Sequence, residues 1–188
     1  MKDLDFLRRR RSVPSRLLGE PGPTPQQVDA LLAESVRVPD HGKLTPWRFL
    51  RIQGEARHAL GELVAARGLE RDPMSPAAAV EKDRRRFSHA PVVLTVVARL
   101  TPGHKVPEQE QLLSGGAVCF ALLQGAQALG FGAQWLTGWP AYDAVVKARL
   151  GIGTDESVLG FIHIGTAGVE APERLRPDAR DLLTDWAP

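Results

Sequence analysis

Seven consecutive residues, Val92-Val93-Leu94-Thr95-Val96-Val97-Ala98, are β-branched or apolar without alternation, and no other stretch restricts the fold as strongly. A strand with one solvated face alternates apolar and polar side chains, whereas one covered on both faces does not. The run, opened by Pro91, therefore predicts a central strand packed on both sides. A long helix from about Glu108 to Leu129 points the same way, because it is apolar almost all round and rich in small residues.

The remaining periodicities supply the covering layers. Residues 3 to 10 predict a short helix, followed by a loop from Ser12 to Pro25 that contains four prolines after Ser12. Thr24, with Pro25 at the first helical position and Gln27 at the box position, predicts the start of a helix whose apolar set is Val28, Leu31, Leu32 and Val36. Strands are expected at Trp47 to Ile52, Ala133 to Leu136 and Val158 to Gly165, and helices at Glu55 to Leu69, Pro76 to Phe87 and Ala141 to Leu150. Two helices between the first two strands favour an α+β layer structure over a doubly wound sheet. With no repeat or linker, residues 1–188 are expected to form a single domain. The segment after Gly168 is charged, proline-bearing and unpatterned until Leu182-Leu183 and Trp186.

Composition excludes several function classes. The 188 residues are 43% hydrophobic and 24% charged, with no apolar run of membrane-spanning length, so a soluble domain without a membrane partner is expected. The first dozen residues do not read as a secretory leader, which predicts a cytoplasmic location. A net charge of +2 is too mild to indicate a nucleic-acid partner. The cluster Lys82-Asp83-Arg84-Arg85-Arg86 reads as the solvated face of a helix. Cys119 is the only cysteine and sits in an apolar stretch, as a packed core thiol would. His41, His58, His89, His104 and His163 are scattered without metal-ligand spacing, so no metal is expected. Neither a dinucleotide fingerprint nor a phosphate-cradling glycine loop is present, and Ser12 and Ser15 lack partners for nucleophilic catalysis. What stands out is Arg8-Arg9-Arg10-Arg11-Ser12, where guanidinium forks beside a hydroxyl suit a phosphate. A chain rich in cationic donors and poor in acids, bases and nucleophiles fits a protein whose reactive group belongs to a cofactor.

Four segments then carry a resemblance. Arg10-Arg11-Ser12, the run from Arg37-Val38-Pro39-Asp40-His41 to Pro46-Trp47-Arg48-Phe49, Ala128-Leu129-Gly130-Phe131-Gly132-Ala133-Gln134-Trp135, and Gly160-Phe161-Ile162-His163-Ile164-Gly165-Thr166 occur in the order and spacing of the nitroreductase family. His104-Lys105-Val106-Pro107 resembles its short NAD(P)H nitroreductase branch. The resemblance implies a three-layer α+β fold with a mainly antiparallel sheet of four to five strands between helices. It also implies an intertwined homodimer with exchanged C-terminal segments and FMN at the interface. The implied activity is ping-pong transfer from NAD(P)H to a nitroaromatic, a quinone or a similar small oxidant.

By position in the family motifs, Arg10, Arg11 and Ser12 would serve the FMN phosphate and the pyrimidine side of the ring, while Arg8 and Arg9 stay in solvent. Arg37 and His41 would reach the same site across the dimer, with His41 a conceivable proton donor, and Trp135, Leu136 and Thr137 would run along the flavin. Arg174 and Arg176 match a family habit of placing a basic tail residue near the phosphate. The extra Pro14 breaks the equation of Arg16 with the family's basic residue near the flavin carbonyl. Lys43 and Thr45 replace an Asn and a Gln found in many relatives. The departures at Lys43 and Thr45 suggest one alternative, a non-catalytic flavin-binding or storage protein of the same fold, and the arginines at 8–11 and 84–86 suggest a more remote one, a basic nucleic-acid-binding module.

Overall fold

In a computed structural model of the protein, residues 4–187 are described. Residue 3 of the first expected helix, and residues 1–3 and 188 of the expected domain, lie outside them. Five strands, β1 (Leu18–Gly19), β2 (Trp47–Gln53), β3 (Val92–Ala98), β4 (Gly132–Leu136) and β5 (Ser157–Ala167), form one antiparallel sheet in the order β1-β5-β3-β2, with β4 also paired to β5. The helices are α1 (Asp5–Arg9), α2 (Pro25–Ser35), α3 (Glu55–Arg71), α4 (Ala77–Arg84), α5 (Glu108–Ala128) and α6 (Ala144–Arg149).

Every residue of β3 is buried, and its side chains divide by parity. Val92, Leu94 and Val96 join Val118, Cys119 and Leu122 of α5 with Val28 and Leu31 of α2. Val93 and Val97 join Leu60 and Val64 of α3, Val146 of α6 and the buried Phe87. The unbroken apolar run thus feeds two cores, one on each face, and the three-layer α+β arrangement follows. Trp47 is buried against the α5 side.

Local chemistry sets the helix ends. Thr24 and Gln27 make the reciprocal capping box that their spacing predicts. Expected and observed boundaries differ at two helices. α4 stops at Arg84 rather than at Phe87, because the chain turns through residues 85–88 to bury Phe87 edge-on against Phe161, 5.0 Å between centroids. α6 starts at Ala144 rather than Ala141, because Asp143 accepts from the amides of Val145 (3.0 Å) and Val146 (3.1 Å). Burial works against ionisation of the Asp143 carboxyl, but those amides and Arg67 outweigh it and hold the group below the ordinary Asp range. Asp143→Ala removes the cap and leaves Arg67 without this partner, so a loss of about 2 kcal/mol in urea-unfolding free energy is expected. The Ser12 to Pro25 loop also contains β1, a two-residue strand opposite Thr166 and Ala167 that is too short to read from periodicity.

A bidentate pair ties β2 to the start of β5. Arg48 donates to Glu156 from Nε (2.7 Å) and Nη2 (2.6 Å), and these bonds hold the Glu156 carboxyl down at about 2, against an ordinary 4.5. In the unfolded chain the group takes up its proton near the ordinary value, whereas in the folded chain it does so only near 2. Its contribution is therefore complete above the ordinary range and is lost as pH falls from about 5 to about 2. Glu156→Gln should flatten the acid limb of a plot of urea midpoint against pH and leave the neutral limb parallel to that of the wild type.

Candidate functional site

Residues 10–14, between α1 and a 3-10 turn at Ser15–Leu17, run extended beside β4. The Val13 amide donates to the Ala133 carbonyl (3.0 Å) and the Ser15 amide to the Gln134 side-chain oxygen (2.6 Å). Successive side chains of an extended segment point to opposite sides, which splits the arginine run. Arg9, Arg11 and Val13 line a cavity of about 520 Å3 with Phe6, Leu123 and Phe131. Arg10 and Ser12 fall on the other side, half-buried, with Arg10 Nη1 donating to Ser12 Oγ (3.2 Å). Arg11 donates to the carbonyls of Arg8 (2.7 Å) and Arg10 (3.1 Å) and forms an ion pair with Glu173. Arg8 and Arg9 are exposed and pair with Asp5, as a solvated helix end does.

A second cavity, of about 690 Å3, opens between this segment, the α4 region and β4. Arg16, Lys82, Arg85, Arg86 and His89 line it together with Gln134 and Leu136. Asp83 holds Arg86 (Nη2 to Oδ1, 2.7 Å) and accepts from the Trp139 indole (3.0 Å). Among the described residues Arg16, Lys82 and Arg85 have no carboxylate partner. Lys82 and Arg85 are exposed, as the expected solvated face requires, and they border this open cavity. Arg84 pairs with Glu62 and with Glu81, and Glu81 itself lines the cavity. Burial and the neighbouring Arg85 lower the pKa of His89.

Beneath this wall, His163 stands opposite Gln134 in the β4–β5 register and stacks on Phe87 with centroids 5.8 Å apart. Burial first, then Arg86 and His89, push its pKa down to about 4, so the imidazole is neutral at physiological pH. Of the β4 residues expected at the site, Leu136 lines the second cavity and Thr137, half-buried, follows it. Trp135 lies instead over Gly160, its indole N–H donating to the Leu159 carbonyl (2.9 Å).

Arg37 and His41 do not join these residues within one chain. Arg37 is exposed and lies 3.6 Å from Glu34. His41 donates from Nδ1 to Glu110 (2.7 Å) and lines a separate cavity of about 330 Å3 with Pro39, Leu113, Ser114 and Ala117. Lys43 (φ 55°) and Thr45 (φ 49°) adopt left-handed backbone, which is costly for a β-branched residue such as Thr45. The tail does approach the arginine segment, since Glu173 binds both Arg11 and Arg176 (3.0 Å). The site is thus rich in guanidinium, ammonium and amide donors, with no nucleophile paired to a base in the second cavity, and it suits an anionic or acceptor-rich ligand. Among the described residues no cluster has the makings of a metal site, and no helix is long and apolar enough to cross a membrane.

Comparison with known proteins gives one answer. The profile of the nitroreductase family matches residues 7–166. An Escherichia coli K12 protein named "Putative NAD(P)H nitroreductase YdjA" is 34% identical over 185 residues, covering 98% of this chain and 99% of its own. Among solved structures, a nitroreductase-like family protein from Bacillus cereus superposes with a TM-score of 0.82 at 19% identity, over 99% of this chain and 98% of its own. The FMN and NADPH-dependent nitroreductase NfnB from Sphigopyxis sp. strain HMH gives a TM-score of 0.78 at 20% identity, over 100% and 99%.

Proposed function

This chain belongs to the nitroreductase family, and from that premise we propose that it is an FMN-dependent oxidoreductase that uses NAD(P)H to reduce a nitroaromatic, a quinone or a similar small oxidant. The observation that carries the reading is the second cavity, whose unpaired Arg16, Lys82 and Arg85 surround a volume within the usual range for small-ligand sites. A flavin ring presents carbonyl and ring-nitrogen acceptors on its pyrimidine side, and these cations and the Gln134 amide are donors; Glu81, the one carboxylate in the lining, is engaged by Arg84. The residues present therefore fit FMN. When bound, FMN supplies the redox chemistry, accepting hydride from the nicotinamide and releasing electrons to the oxidant.

The chain's own residues bind and orient. Arg10 and Ser12, already hydrogen-bonded to each other, hold the phosphate, while Glu173 ties Arg176 and the tail to Arg11 on the other side of the segment. Arg16, Lys82 and Arg85 stabilise negative charge on the pyrimidine side of the ring. Leu136 and Thr137 flank the ring along β4. Donor and acceptor occupy the same open face in turn, which is the structural basis for a ping-pong order. No acid or base is required of the protein, although His41 is a candidate to hold a proton at Nε2, the ring nitrogen that Glu110 does not engage.

The reading includes a homodimer, in which the partner's Arg37 and His41 complete each site. Two surfaces support it. Leu113, Ala117 and Phe120 form an uncovered stripe on α5, and Leu175, Leu182, Leu183 and Trp186 are exposed along the tail. Among the described residues β2 pairs only with β3, so its outer edge is open to a tail from a second copy. Phe120→Glu should therefore yield monomers by light scattering and should lose flavin as it does so. The activity itself is tested by anaerobic addition of NADPH or NADH to FMN-loaded protein. Bleaching of the flavin band followed by its return on adding a quinone or nitroaromatic is expected. A band that stays oxidised with both donors would instead support a flavin-storage role.

A further inference from the structure

Residues 37–45 and 104–107 are far apart in the chain but pack on each other. Gly42 approaches so closely that a Cβ there would lie 3.3 Å from Val106 Cγ2 and 3.9 Å from His104 Cε1. The first turns of α5 fasten both segments. Glu110 accepts from His41 Nδ1 (2.7 Å), and one turn on, Ser114 Oγ donates to the Pro39 carbonyl (2.7 Å). Between them Gln111, only 2% exposed, secures the second segment. Its side-chain oxygen accepts from the Thr101 amide (2.8 Å), and its nitrogen donates to the carbonyls of Thr101 (3.3 Å) and Val106 (3.1 Å). The Val106 amide donates to His104 Nδ1 (3.1 Å), which stiffens the same loop.

The loop so braced holds a turn that is costly to form. Gly42, Lys43 and Thr45 all have positive φ, and the turn is closed by the Asp40 carboxylate, which accepts from the amides of Leu44 (3.2 Å) and Thr45 (2.8 Å). Left-handed backbone at two non-glycine positions persists only where the surroundings enforce it. The local hydrogen bonds to Asp40 close the turn but do not fix where it sits. Glu110 and Ser114 anchor its first residues, and the placement of its centre comes from the contact of Gly42 with Val106, which Gln111 holds.

We infer that Gln111 is a positioning residue: through the Thr101 to Val106 loop it fixes the strained Pro39 to Thr45 turn, and so the placement of the His41 imidazole that is presented to the partner's site. The part played by His41 rests on the function proposed above, whereas the bracing of the turn does not. Leucine at this position fills similar volume but makes none of the three hydrogen bonds. Glutamate keeps the acceptor and sets a carboxylate against two carbonyls. The effect should therefore increase from Gln111→Leu to Gln111→Glu.

Hydrogen exchange on the dimeric protein tests the bracing without any cofactor. In Gln111→Leu the amides of Leu44 and Thr45 should exchange about tenfold faster or more, while the Gln27 amide in the α2 capping box keeps its rate. In FMN titrations of the same variant, the folded dimer should bind about tenfold more weakly, since small misplacements of positioning groups are amplified at a site. Unchanged exchange at Leu44 and Thr45, with only a lower melting temperature, would overturn the inference and leave Gln111 a general core residue. If wild-type protein binds no FMN, the proposed function fails, and the exchange result still decides whether Gln111 braces the turn.

Discussion

Replacing Arg10 and Ser12 together with alanine is expected to yield a folded, dimeric and colourless protein. The two side chains lie on one side of the extended segment beside β4, already joined by a 3.2 Å hydrogen bond, so their donors are arranged before any phosphate arrives. A hydrogen bond to a charged group contributes about 1.5–3 kcal/mol, so losing both should weaken FMN by about 3–6 kcal/mol, roughly 10²- to 10⁴-fold. Gel filtration followed by an absorption spectrum reads the result directly. The paired control is Arg8→Ala with Arg9→Ala, which removes two exposed cations from α1 and should leave a yellow protein. Arg11→Ala belongs between these extremes. Its guanidinium holds Glu173 and two carbonyls, so the variant should release the tail and lower affinity indirectly. A colourless Arg8/Arg9 variant beside a yellow Arg10/Ser12 variant would reverse the assignment.

Gly61→Ala is expected to have the largest effect on stability of any single methyl addition in α3. A Cβ at this position would overlap the backbone carbonyl of Arg84, at the end of α4. Overlap with a flexible side chain could be relieved by a rotamer change, but a carbonyl at a helix terminus can retreat only by moving the helix. Overpacking of this kind costs about 1–3 kcal/mol and occasionally more. The upper end applies because backbone meets backbone. At about 2–4 °C per kcal/mol for a chain of this size, the melting temperature should fall by about 6–12 °C. The same displacement moves Lys82 and Arg85, so flavin affinity should fall in the folded fraction as well. A melting temperature within 2 °C or so of the wild type would mean that α3 and α4 separate freely, and the argument that α4 forms a fixed cavity wall would go with it.

The legibility of the sequence followed the range of the forces involved. β3 was readable to the residue because burial on both faces leaves a one-dimensional mark, and α2 was readable at its start because a capping box lies within four residues. β1 was not, since two residues of strand have no period and depend wholly on Thr166 and Ala167 across the sheet. That the exposed Lys82 and Arg85 border a cavity was not legible either, because its other walls, Arg16 and Gln134, come from distant parts of the chain. The division of Arg10 and Ser12 from Arg11 needed the extended path beside β4. The family motifs reached Arg37 and His41, which do not line the second cavity within one chain, and only the proposed dimer would bring a second copy's Arg37 and His41 to it.

The measurement that bears most directly on the whole account is a titration of the purified, flavin-free protein with FMN, followed by its difference absorption spectrum. Saturable binding at one flavin per chain, with a dissociation constant at or below about 1 μM, roughly −8 kcal/mol, is predicted. A flat difference spectrum through tens of micromolar FMN, roughly −6 kcal/mol or weaker, would contradict it.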